Sequence, residues 1–399
     1  MQFDEVWGPD MKAVFVTHFC PHYRVKTFEK LARLYDMEFL FYSQGKEWYG
    51  QGIHGIRRGN FRHKYLRGFQ LTTRTRVAPS LLRHLWGQNY GVIVKCINGR
   101  FALPVTYLVA RLRGIPFVLW TGIWMTLQTR LHRLAFPLTR WIYRHADAIV
   151  VYGEHVRGYL TGLGIPEERI FIAPHAVDNS FYASPVTPEE KARCRASLSL
   201  EGQRVVLYLG RLEEIKGLEY LIKAFAQLKL ENTVLALAGD GSLYQSLRAL
   251  ASAEGIEARI RFAGNVRPED ALPYYAVADV FVLPSITMPT GKETWGLVVN
   301  EAMNQGLPVI ATEAVGAAAG GLVQSGINGF VVPERDIAAL VRTMERILTD
   351  DVLRGEMARN ARRVIAMWDN ERMVKGFQGA IEYALHKKNC KLAPHSSCT

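Results

Sequence analysis

The sequence contains no Asp or Glu between residues 48 and 146, although this segment carries 16 Lys and Arg residues. It also lacks an Asp-x-Asp metal motif, and its five cysteines show no metal-ligand spacing. No stretch approaches ~18 uninterrupted apolar residues, so no transmembrane helix is expected. The amino terminus is too acidic and too weakly apolar for a secretory signal, and an odd number of cysteines suits a reducing compartment. We therefore expect a cytoplasmic protein with no resident metal or cofactor.

Apolar runs typical of strands alternate with amphipathic helical runs along the chain, which predicts parallel sheets joined by helical crossovers. A length of 399 residues suits two or three domains. Pro185 and Pro188 interrupt regular structure and mark a linker between two halves. The expected strands of the first half are Ala13 to Thr17, Glu38 to Tyr42, Val92 to Ile97, Phe117 to Thr121, Ala148 to Tyr152 and Arg169 to Ala173.

Two glutamates, Glu293 and Glu301, lie eight positions apart where a loop enters a helix. The helix is predicted to begin near Gly296, because the apolar spacing of Leu297 and Val298 with later residues starts there. Unpaired amides at a helix start favour a phosphate, and carboxylates accept hydrogen bonds from hydroxyl groups. The segment therefore suits a nucleotide-sugar. The alternative is that both glutamates are solvated charges at a helix end.

Two cations, Arg211 and Lys216, follow the predicted strand Val205 to Leu209 and precede a helix. In open parallel sheets, the carboxyl ends of strands line the ligand crevice. Two cations there are expected to neutralise a diphosphate leaving group. Alternatively, they are exposed and pair with Glu213 and Glu214.

The second half resembles the family-4 retaining glycosyltransferases of the GT-B fold over about residues 204 to 333. Each motif is weak alone, but their order and spacing together are specific for the family. The motifs are GRLEEIKG (210 to 217), LAGDG (237 to 241), FAGNV (262 to 266), YYAVAD (274 to 279), the two-glutamate segment, GLPVIA (306 to 311) and GINGFVVP (326 to 333).

The resemblance implies two Rossmann-like domains facing each other across a cleft, with the last helix crossing back to the first domain. The expected domains are 1–182 on the acceptor side and 183–366 on the nucleotide-sugar side, then a helix at 367–386 and a disordered tail at 387–399. The implied catalytic residues are Arg211 and Lys216 on the diphosphate and Glu293 on the donor sugar. The implied donor-binding residues are Gly210, Gly296, Leu297, Val298, Glu301 on the ribose, and Val266 near the base.

The first half departs from the family pattern in two places. The loop after the first strand has no glycine pair, so His22 or Arg24 is a candidate replacement donor to the diphosphate. A family histidine that contacts the donor sugar is replaced by Thr121-Gly122-Ile123-Trp124, so that contact does not carry over. His175 either lines the cleft or is a structural residue at a strand end. Trp295 either packs on the sugar or wedges the helix.

The acid-free segment predicts a surface for an anionic partner. Basic residues with Phe61, Tyr65 and Phe69 between them suit an anionic bilayer, so a membrane surface is expected over residues 57–84. Plain solvation and nucleic acid are the alternatives, but no nucleic-acid motif is present and no nucleic acid is expected.

The predicted function is retaining transfer of a sugar from a UDP- or GDP-linked donor to an acceptor hydroxyl. The expected acceptor is a lipid-linked or membrane-associated glycan in bacterial surface polysaccharide assembly, at the inner face of the plasma membrane. The alternatives are a nucleotide-sugar epimerase or hydrolase, or a non-catalytic membrane- or nucleic-acid-binding protein.

Overall fold

The computed structural model describes residues 11–43, 59–72 and 75–392, which form two compact α/β units. Unit 1 consists of Met1–Gly122, Arg130–Pro174 and Asn370–Thr399, and unit 2 consists of Ile123–Thr129 and His175–Asp369.

Within the described residues, fifteen strands form the sheets of the two units. Those of unit 1 are β1 Lys12–Thr17, β2 Asp36–Phe41, β3 His63–Tyr65, β4 Phe69–Thr72, β5 Thr75–Val77, β6 Val92–Cys96, β7 Phe117–Thr121, β8 Ala148–Val151 and β9 Ile170–Ile172. Those of unit 2 are β10 Arg204–Leu209, β11 Thr233–Ala238, β12 Ile260–Gly264, β13 Val280–Leu283, β14 Val309–Thr312 and β15 Gly329–Val332.

Helices cover the sheets, as the alternating sequence pattern predicts. The first five, in unit 1, are α1 Val25–Leu34, α2 Ser80–Trp86, α3 Ala102–Leu112, α4 Arg130–His145 and α5 Glu154–Gly162. Those of unit 2 are α6 Asn179–Tyr182, α7 Pro188–Ser197, α8 Leu218–Gln227, α9 Tyr244–Ala253, α10 Leu272–Val277, α11 Leu297–Asn304, α12 Gly316–Ala319, α13 Ile337–Thr349 and α14 Asp351–Ile365. The last helix, α15 Asn370–Leu392, belongs to unit 1.

Each unit contains an open parallel sheet whose strand order reverses once. The strand order is β3-β2-β1-β6-β7-β8-β9 in unit 1 and β12-β11-β10-β13-β14-β15 in unit 2, and β4 and β5 form a separate antiparallel pair. The reversal lies between β1 and β6 in unit 1 and between β10 and β13 in unit 2. Ligand crevices in open parallel sheets form at such reversals, outside the carboxyl ends of the strands.

The units divide earlier than the sequence predicts. The boundary between the units after β9 lies at Pro174 rather than at residue 182, because α6 packs within unit 2. There the Asn179 amide donates to the Ile365 carbonyl over 3.1 Å, and Gln305 donates to the Tyr182 carbonyl over 2.6 Å. Helix α15 also continues to Leu392, into the tail that was predicted to be disordered from residue 387.

Helix α15 closes the aromatic core of unit 1. The Phe377 ring lies 5.6 Å from that of Phe15 and 5.4 Å from that of Trp120, measured between centroids. At the start of the helix, the Thr27 hydroxyl donates to Asn370 Oδ1 over 2.7 Å. The helix therefore supplies apolar surface that β1 and β7 need for burial.

The aromatic residues predicted to face a bilayer do not form one exposed stripe. Phe61 is buried, with its ring 4.9 Å from that of Phe39, and the Tyr65 ring lies 5.1 Å from that of Phe41. Only Phe69 of the three is exposed, on β4. Residues 57, 58 and 74 of the predicted stripe lie outside the described residues. Within the described part of the chain, no helix is long and apolar enough to cross a bilayer.

Candidate functional site

The candidate site lies where the strand order of unit 2 reverses. The loop after β10 carries Arg211 and a 3-10 turn, Glu214–Lys216, and the loop after β13 carries Glu293. Because β10 and β13 are neighbouring parallel strands, both loops leave the same edge of the sheet. The fold thus brings together two segments that the sequence separates widely.

An ion pair joins these loops. The Lys216 ammonium contacts Glu293 Oε2, and the two side chains are only 10% and 16% exposed. The Ser285 hydroxyl lies 3.5 Å from the same carboxylate oxygen. A buried charge requires a partner of opposite sign, and each of these two residues supplies that partner to the other. The sequence predicts both residues at the site but not their direct contact.

Gly217 allows the two loops to pack closely. Its φ of 62° is left-handed, and a Cβ added there would lie 2.2 Å from the Pro284 carbonyl oxygen. Glycine alone fits this position without displacing the backbone after β13. The close packing holds the Lys216 turn against the loop that carries Glu293.

Arg211 is more exposed than Lys216 and has a different partner. Its guanidinium donates to Glu213 Oε1 over 2.5 Å, and its side chain is 43% exposed. The Tyr208 hydroxyl donates to the Arg211 carbonyl over 2.6 Å, which holds the backbone at this point. The alternative of an exposed cation paired with a nearby glutamate therefore describes Arg211. Lys216 instead pairs with Glu293 on the other loop.

The glycines of the LAGDG motif serve loop packing. A Cβ on Gly239 would lie 1.8 Å from the Gly210 carbonyl oxygen, and one on Gly241 would lie 2.4 Å from the Leu212 carbonyl oxygen. The loop after β11 therefore supports the loop after β10. This contact explains both glycines as packing residues.

Helix α11 begins beside Glu293. Its N-cap, Gly296, has a left-handed φ of 87°, and a Cβ there would lie 2.7 Å from Leu283 Cδ2. The half-buried Leu297 and Val298 form the first turn. The first amides of a helix lack partners within the helix, so this turn offers donors and partial positive charge to an anion.

Glu301 lies farther along α11, and two tyrosines hold it. The Tyr275 hydroxyl donates to Glu301 Oε2 over 2.7 Å, and the Tyr182 hydroxyl forms a second hydrogen bond to this carboxyl group. Burial raises the pKa of Glu301 to about 7, and the two hydrogen bonds oppose that rise. The sequence predicts Glu301 but neither tyrosine, although Tyr275 lies within the YYAVAD motif.

Trp295 wedges the start of α11. It is 1% exposed, its indole N–H donates to Asn300 Oδ1 over 2.8 Å, and its ring lies 5.3 Å from that of Trp368. His175 is also buried, with its ring stacked 6.3 Å from the Trp295 ring. Both residues therefore have packing roles, and the predicted alternative of sugar stacking does not hold for Trp295.

A segment from the first half of the chain packs beside Glu293. The Trp124 indole N–H donates to the Glu293 carbonyl over 3.2 Å, and the Lys292 ammonium lies 4.4 Å from the centre of the Trp124 ring. The Gln128 amide donates to the Pro289 carbonyl over 2.9 Å. The sequence pattern predicts no role for Trp124. Its position directly after β7 is the only signal that places it near a loop cluster.

Val266 follows the edge strand β12, which β11 separates from β10. It is half-buried. Of the predicted residues, Lys216 and Glu293 are in direct contact, and Gly296, Leu297 and Val298 follow Glu293 in the chain. Val266 is the member farthest from them in sheet order.

Unit 1 has a polar cluster where its own strand order reverses. His18 contacts Asn98, and the Tyr42 hydroxyl donates to Asn98 Oδ1 over 2.8 Å. Lys95 is fully buried and donates to the Asn98 carbonyl over 2.7 Å. Burial, with smaller effects of nearby cations, lowers the pKa of His18 to about 3, and burial lowers that of Lys95 to about 7. The histidine is therefore neutral at physiological pH.

Arg24 is part of the packing of unit 1. It is buried, with its guanidinium 4.6 Å from the centre of the Trp120 ring, and it donates to the Tyr152 hydroxyl over 3.2 Å and to Met373 Sδ over 3.1 Å. His22 is exposed on the same turn. Arg24 was a candidate to replace the glycine pair as a donor to the diphosphate, but its guanidinium is already engaged inside unit 1.

Two family models match the chain almost end to end. Residues 12–181 match the model described as "Glycosyltransferase Family 4", and residues 190–364 match "Glycosyl transferases group 1". The α-D-kanosaminyltransferase of Streptomyces kanamyceticus is 29% identical over 67% of this chain and 70% of its own length. The lipopolysaccharide core biosynthesis glycosyltransferase LpsE of Rhizobium meliloti is 35% identical over 56% of this chain and 60% of its own.

Solved structures share the architecture. Anabaena HepE, crystallised with UDP, superposes with a TM-score of 0.73 over 92% of this chain and 98% of its own, at 19% identity. At this identity, the likeness establishes the fold.

Proposed function

Because the chain belongs to the family-4 glycosyltransferases and has their GT-B fold, we propose that it transfers a sugar from a nucleotide-sugar to an acceptor hydroxyl with retained anomeric configuration. The observation that carries this proposal is the Lys216–Glu293 pair beside the start of α11. A cation, a carboxylate and a helix start at one sheet edge offer partners for a diphosphate and for sugar hydroxyls.

Each site residue then has a distinct role. The first amides of α11, at Leu297 and Val298, bind the diphosphate together with Arg211 and Lys216. Glu293 accepts hydrogen bonds from the donor sugar, and Glu301 accepts them from the ribose. Gly210 and Gly296 allow the backbone to approach the donor closely, and Val266 lies toward the base.

The donor must displace part of the ion pairing seen in the protein. Lys216 and Arg211 are each paired with a carboxylate, so the local charge is nearly balanced. When a diphosphate binds, Lys216 turns its charge to the phosphate, and Glu293 becomes available to the sugar hydroxyls. Cations and amides stabilise the charge that develops as the bond from the anomeric carbon to the diphosphate breaks.

The acceptor oxygen forms the new bond to the anomeric carbon, and its proton passes to the departing diphosphate. We propose that a divalent metal is dispensable, because Arg211, Lys216 and the helix amides supply the positive charge. Turnover should therefore persist in a chelator. Loss of turnover in chelator, restored by magnesium or manganese, contradicts this assignment.

The proposed acceptor is a lipid-linked or membrane-associated glycan of a bacterial surface polysaccharide, with UDP or GDP on the donor. Similarity to a lipopolysaccharide core glycosyltransferase supports this acceptor class. The protein is then cytoplasmic and peripheral on the inner face of the plasma membrane, where the acid-free segment meets anionic lipid.

Thermal unfolding with UDP, GDP, ADP and CMP tests the donor site. A nucleotide at ~100 times its dissociation constant should stabilise the protein by about 2.7 kcal/mol. Arg211→Ala should weaken this shift without unfolding the protein, because the Arg211 side chain is 43% exposed. Arg342→Ala, which alters an exposed arginine on α13 of the same unit, is the matched control.

Stabilisation by one nucleotide that Arg211→Ala weakens and Arg342→Ala leaves intact supports the proposal and identifies the donor base. The absence of stabilisation by any of the four overturns it. Donor consumption is then measured with and without a lipid-linked acceptor. Equal consumption without the acceptor indicates a hydrolase or epimerase instead.

A further inference from the structure

Exposed apolar side chains concentrate on one part of unit 1. In the described part of the chain, all but four of the large apolar residues that are exposed lie between Phe69 and Trp141. The four others, Phe181, Ile327, Val352 and Met367, are dispersed over unit 2. Single exposed apolar residues are ordinary, whereas a concentration of them marks an interaction surface.

Most of this concentration lies on three helices that share a face of the sheet. Helix α2 leads into β6, α3 joins β6 to β7, and α4 joins β7 to β8, so the chain steps across the sheet in one direction each time. Right-handed crossovers in one direction place their helices on one face. Contacts agree: the Tyr107 ring lies 5.1 Å from that of Trp141, and Arg113 donates to the Leu85 carbonyl over 3.0 Å.

Helix α4 contributes an apolar stripe that no described residue covers fully. Its members recur every three or four residues, so they lie within about 80° of one another around the helix. Tyr143 lies on the opposite side of the helix and is buried, and Ile142, which borders the stripe, is buried as well. The stripe consists of Leu131, Leu134, Leu138 and Trp141, which are 58%, 79%, 50% and 47% exposed.

A row of arginines borders this stripe. At about 100° per residue, the four arginines of α4 occupy a sector of about 80° around the helix axis, next to the sector of the apolar stripe. Helix α4 contains no acidic residue, and neither does any other position between 48 and 146. The row consists of Arg130, Arg133, Arg140 and Arg144.

The neighbouring helices extend the apolar surface beyond α4. Leu82 and Trp86 on α2 are 48% and 53% exposed, and Leu108 and Leu112 on α3 are 56% and 66% exposed. The exposed side chains of α2, α3 and α4 together form one face, the docking face. It combines apolar side chains with basic ones, and α2, α3 and α4 contain no acidic residue.

The charge decides among the candidate occupants. A second copy of the chain docking through the same face around a two-fold axis would place arginines against arginines, which opposes association. Nucleic acid would use the arginines but leave the leucines exposed to water. An anionic bilayer satisfies both, because leucines enter the acyl boundary while arginines meet lipid phosphates.

We propose that the docking face binds an anionic lipid bilayer, with α4 lying in the membrane interface. This inference rests on the proposed membrane-associated acceptor and specifies where the protein meets the membrane. It keeps only the end of the predicted segment 57–84, where α2 begins, and extends the docking surface to α3 and α4. Phe61 and Tyr65 of the predicted stripe are occupied in the packing of unit 1.

Vesicle flotation tests the proposal directly. Full-length protein is mixed either with vesicles of phosphatidylcholine alone or with vesicles that also contain about 30% phosphatidylglycerol. The anionic lipid gives the second kind of vesicle a strong negative surface potential. We expect binding to the anionic vesicles and little to the neutral ones. Each arginine near the surface should contribute about fivefold to binding at low salt.

The decisive variant is Leu134→Gln with Leu138→Gln. It keeps every charge, and removal of each leucine from the bilayer should weaken binding roughly tenfold. Val352→Gln, at a residue 73% exposed on α14 of unit 2, is the matched control and should bind like the unaltered protein. Lys64→Gln with Arg67→Gln tests the predicted stripe and should change binding less than about fivefold.

The outcomes separate this inference from the proposed transfer. If the leucine variant floats like the unaltered protein, or the unaltered protein does not float, the docking face is refuted. Sedimentation that shows a dimer lost in the leucine variant also refutes it, in favour of self-association. The nucleotide-dependent thermal shift should survive in the leucine variant. If the leucine variant does not float but keeps the nucleotide-dependent thermal shift, the docking face is supported. If no protein shows the thermal shift, only the proposed donor site is refuted.

Discussion

The Lys216–Glu293 pair provides a quantitative test of how the two loops of the candidate site hold together. The perturbation is a double-mutant cycle with Lys216→Met, Glu293→Gln and the two combined. Methionine keeps the length of the lysine stem, and glutamine keeps the shape of the carboxylate. Each single change leaves one charge without its partner, whereas the double change removes both charges.

The magnitude follows from the burial of the pair. Removing one partner of a buried pair costs about 3–5 kcal/mol, because the remaining charge is desolvated and uncompensated. The two side chains retain 10% and 16% exposure, so some water reaches them and the lower end applies. We expect each single variant to lose about 3 kcal/mol of unfolding free energy. The double variant leaves no uncompensated charge, so it should lose well below about 3 kcal/mol, which gives a coupling above about 3 kcal/mol.

Urea unfolding followed by tryptophan fluorescence measures these losses. Trp124, Trp295 and Trp368 all belong to unit 2 and report on its transition. The two units require separate transitions in the fit, since a two-state description is not assured for a chain with two units. Lys229→Met, at an exposed lysine just after α8, is the control and should change stability by less than about 0.5 kcal/mol.

The reasoning fails if the two single losses add in the double variant. Additivity means that each residue is stabilised by other groups, and that the contact between the loops contributes nothing of its own. Single losses below about 0.5 kcal/mol also refute it, since they are typical of a solvated surface pair.

Three further perturbations test separate parts of the structure. Tyr275→Phe removes a hydrogen bond to Glu301 and should raise the pKa of Glu301 above about 7, so that nucleotide binding strengthens at higher pH than in the unaltered protein. Calorimetry from about pH 5.5 to 8.5 measures the pH at which binding is half-maximal, and an unchanged value counts against the contact. Because burial lowers the pKa of Lys95 to about 7, the unfolded chain binds more protons than the folded protein between pH 7 and the ordinary lysine pKa. The free energy of unfolding should therefore rise with pH across that range, and rise less in Lys95→Met. An equal slope of unfolding free energy against pH in both proteins contradicts a buried neutral amine. Trp124→Phe removes the indole donor to the Glu293 carbonyl and should raise the donor KM several-fold at a cost of about 1 kcal/mol in stability, and an unchanged KM would show that this hydrogen bond does not position Glu293.

The strands that carry the candidate site are predictable because their sequence pattern is strong. The observed β10 coincides closely with the predicted strand Val205 to Leu209. Parallel strands buried on both faces appear as continuous apolar runs, and the carboxyl ends of such strands line the crevice. Arg211, Lys216 and Glu293 are therefore expected near one another from their positions after these strands.

The contacts within the site depend on three-dimensional packing that the sequence pattern does not contain. Lys216 and Glu293 were each expected to face a ligand, and their pairing arises from the close packing of two loops at Gly217. Tyr275 reaches Glu301 from a different helix, which no local spacing predicts. Residues of one loop are predictable from the strand before it, but partners from separate elements are not.

The docking face shows the same limit on a larger scale. Basic residues are spread over the whole acid-free segment, so charge alone does not reveal which part of it is apolar and exposed. Phe61 was predicted on the surface because arginines surround it in the sequence, yet the aromatic core of unit 1 buries it. Leu134 is 79% exposed because its stripe lies away from the sheet. The orientation of a helix against the sheet decides exposure, and composition does not.

Basic residues of this protein lie both in the acid-free segment and at the candidate donor site. The formal excess of 12 arises wholly within residues 48–146, which lie almost entirely in unit 1. In unit 2, Arg211 and Lys216 are each matched by a carboxylate, so the candidate donor site has little net charge of its own. Ions screen exposed charges strongly and buried pairs weakly. Salt should therefore weaken the attraction of the docking face to anionic lipid much more than the contacts of a nucleotide, because the latter depend on short hydrogen bonds and a helix start.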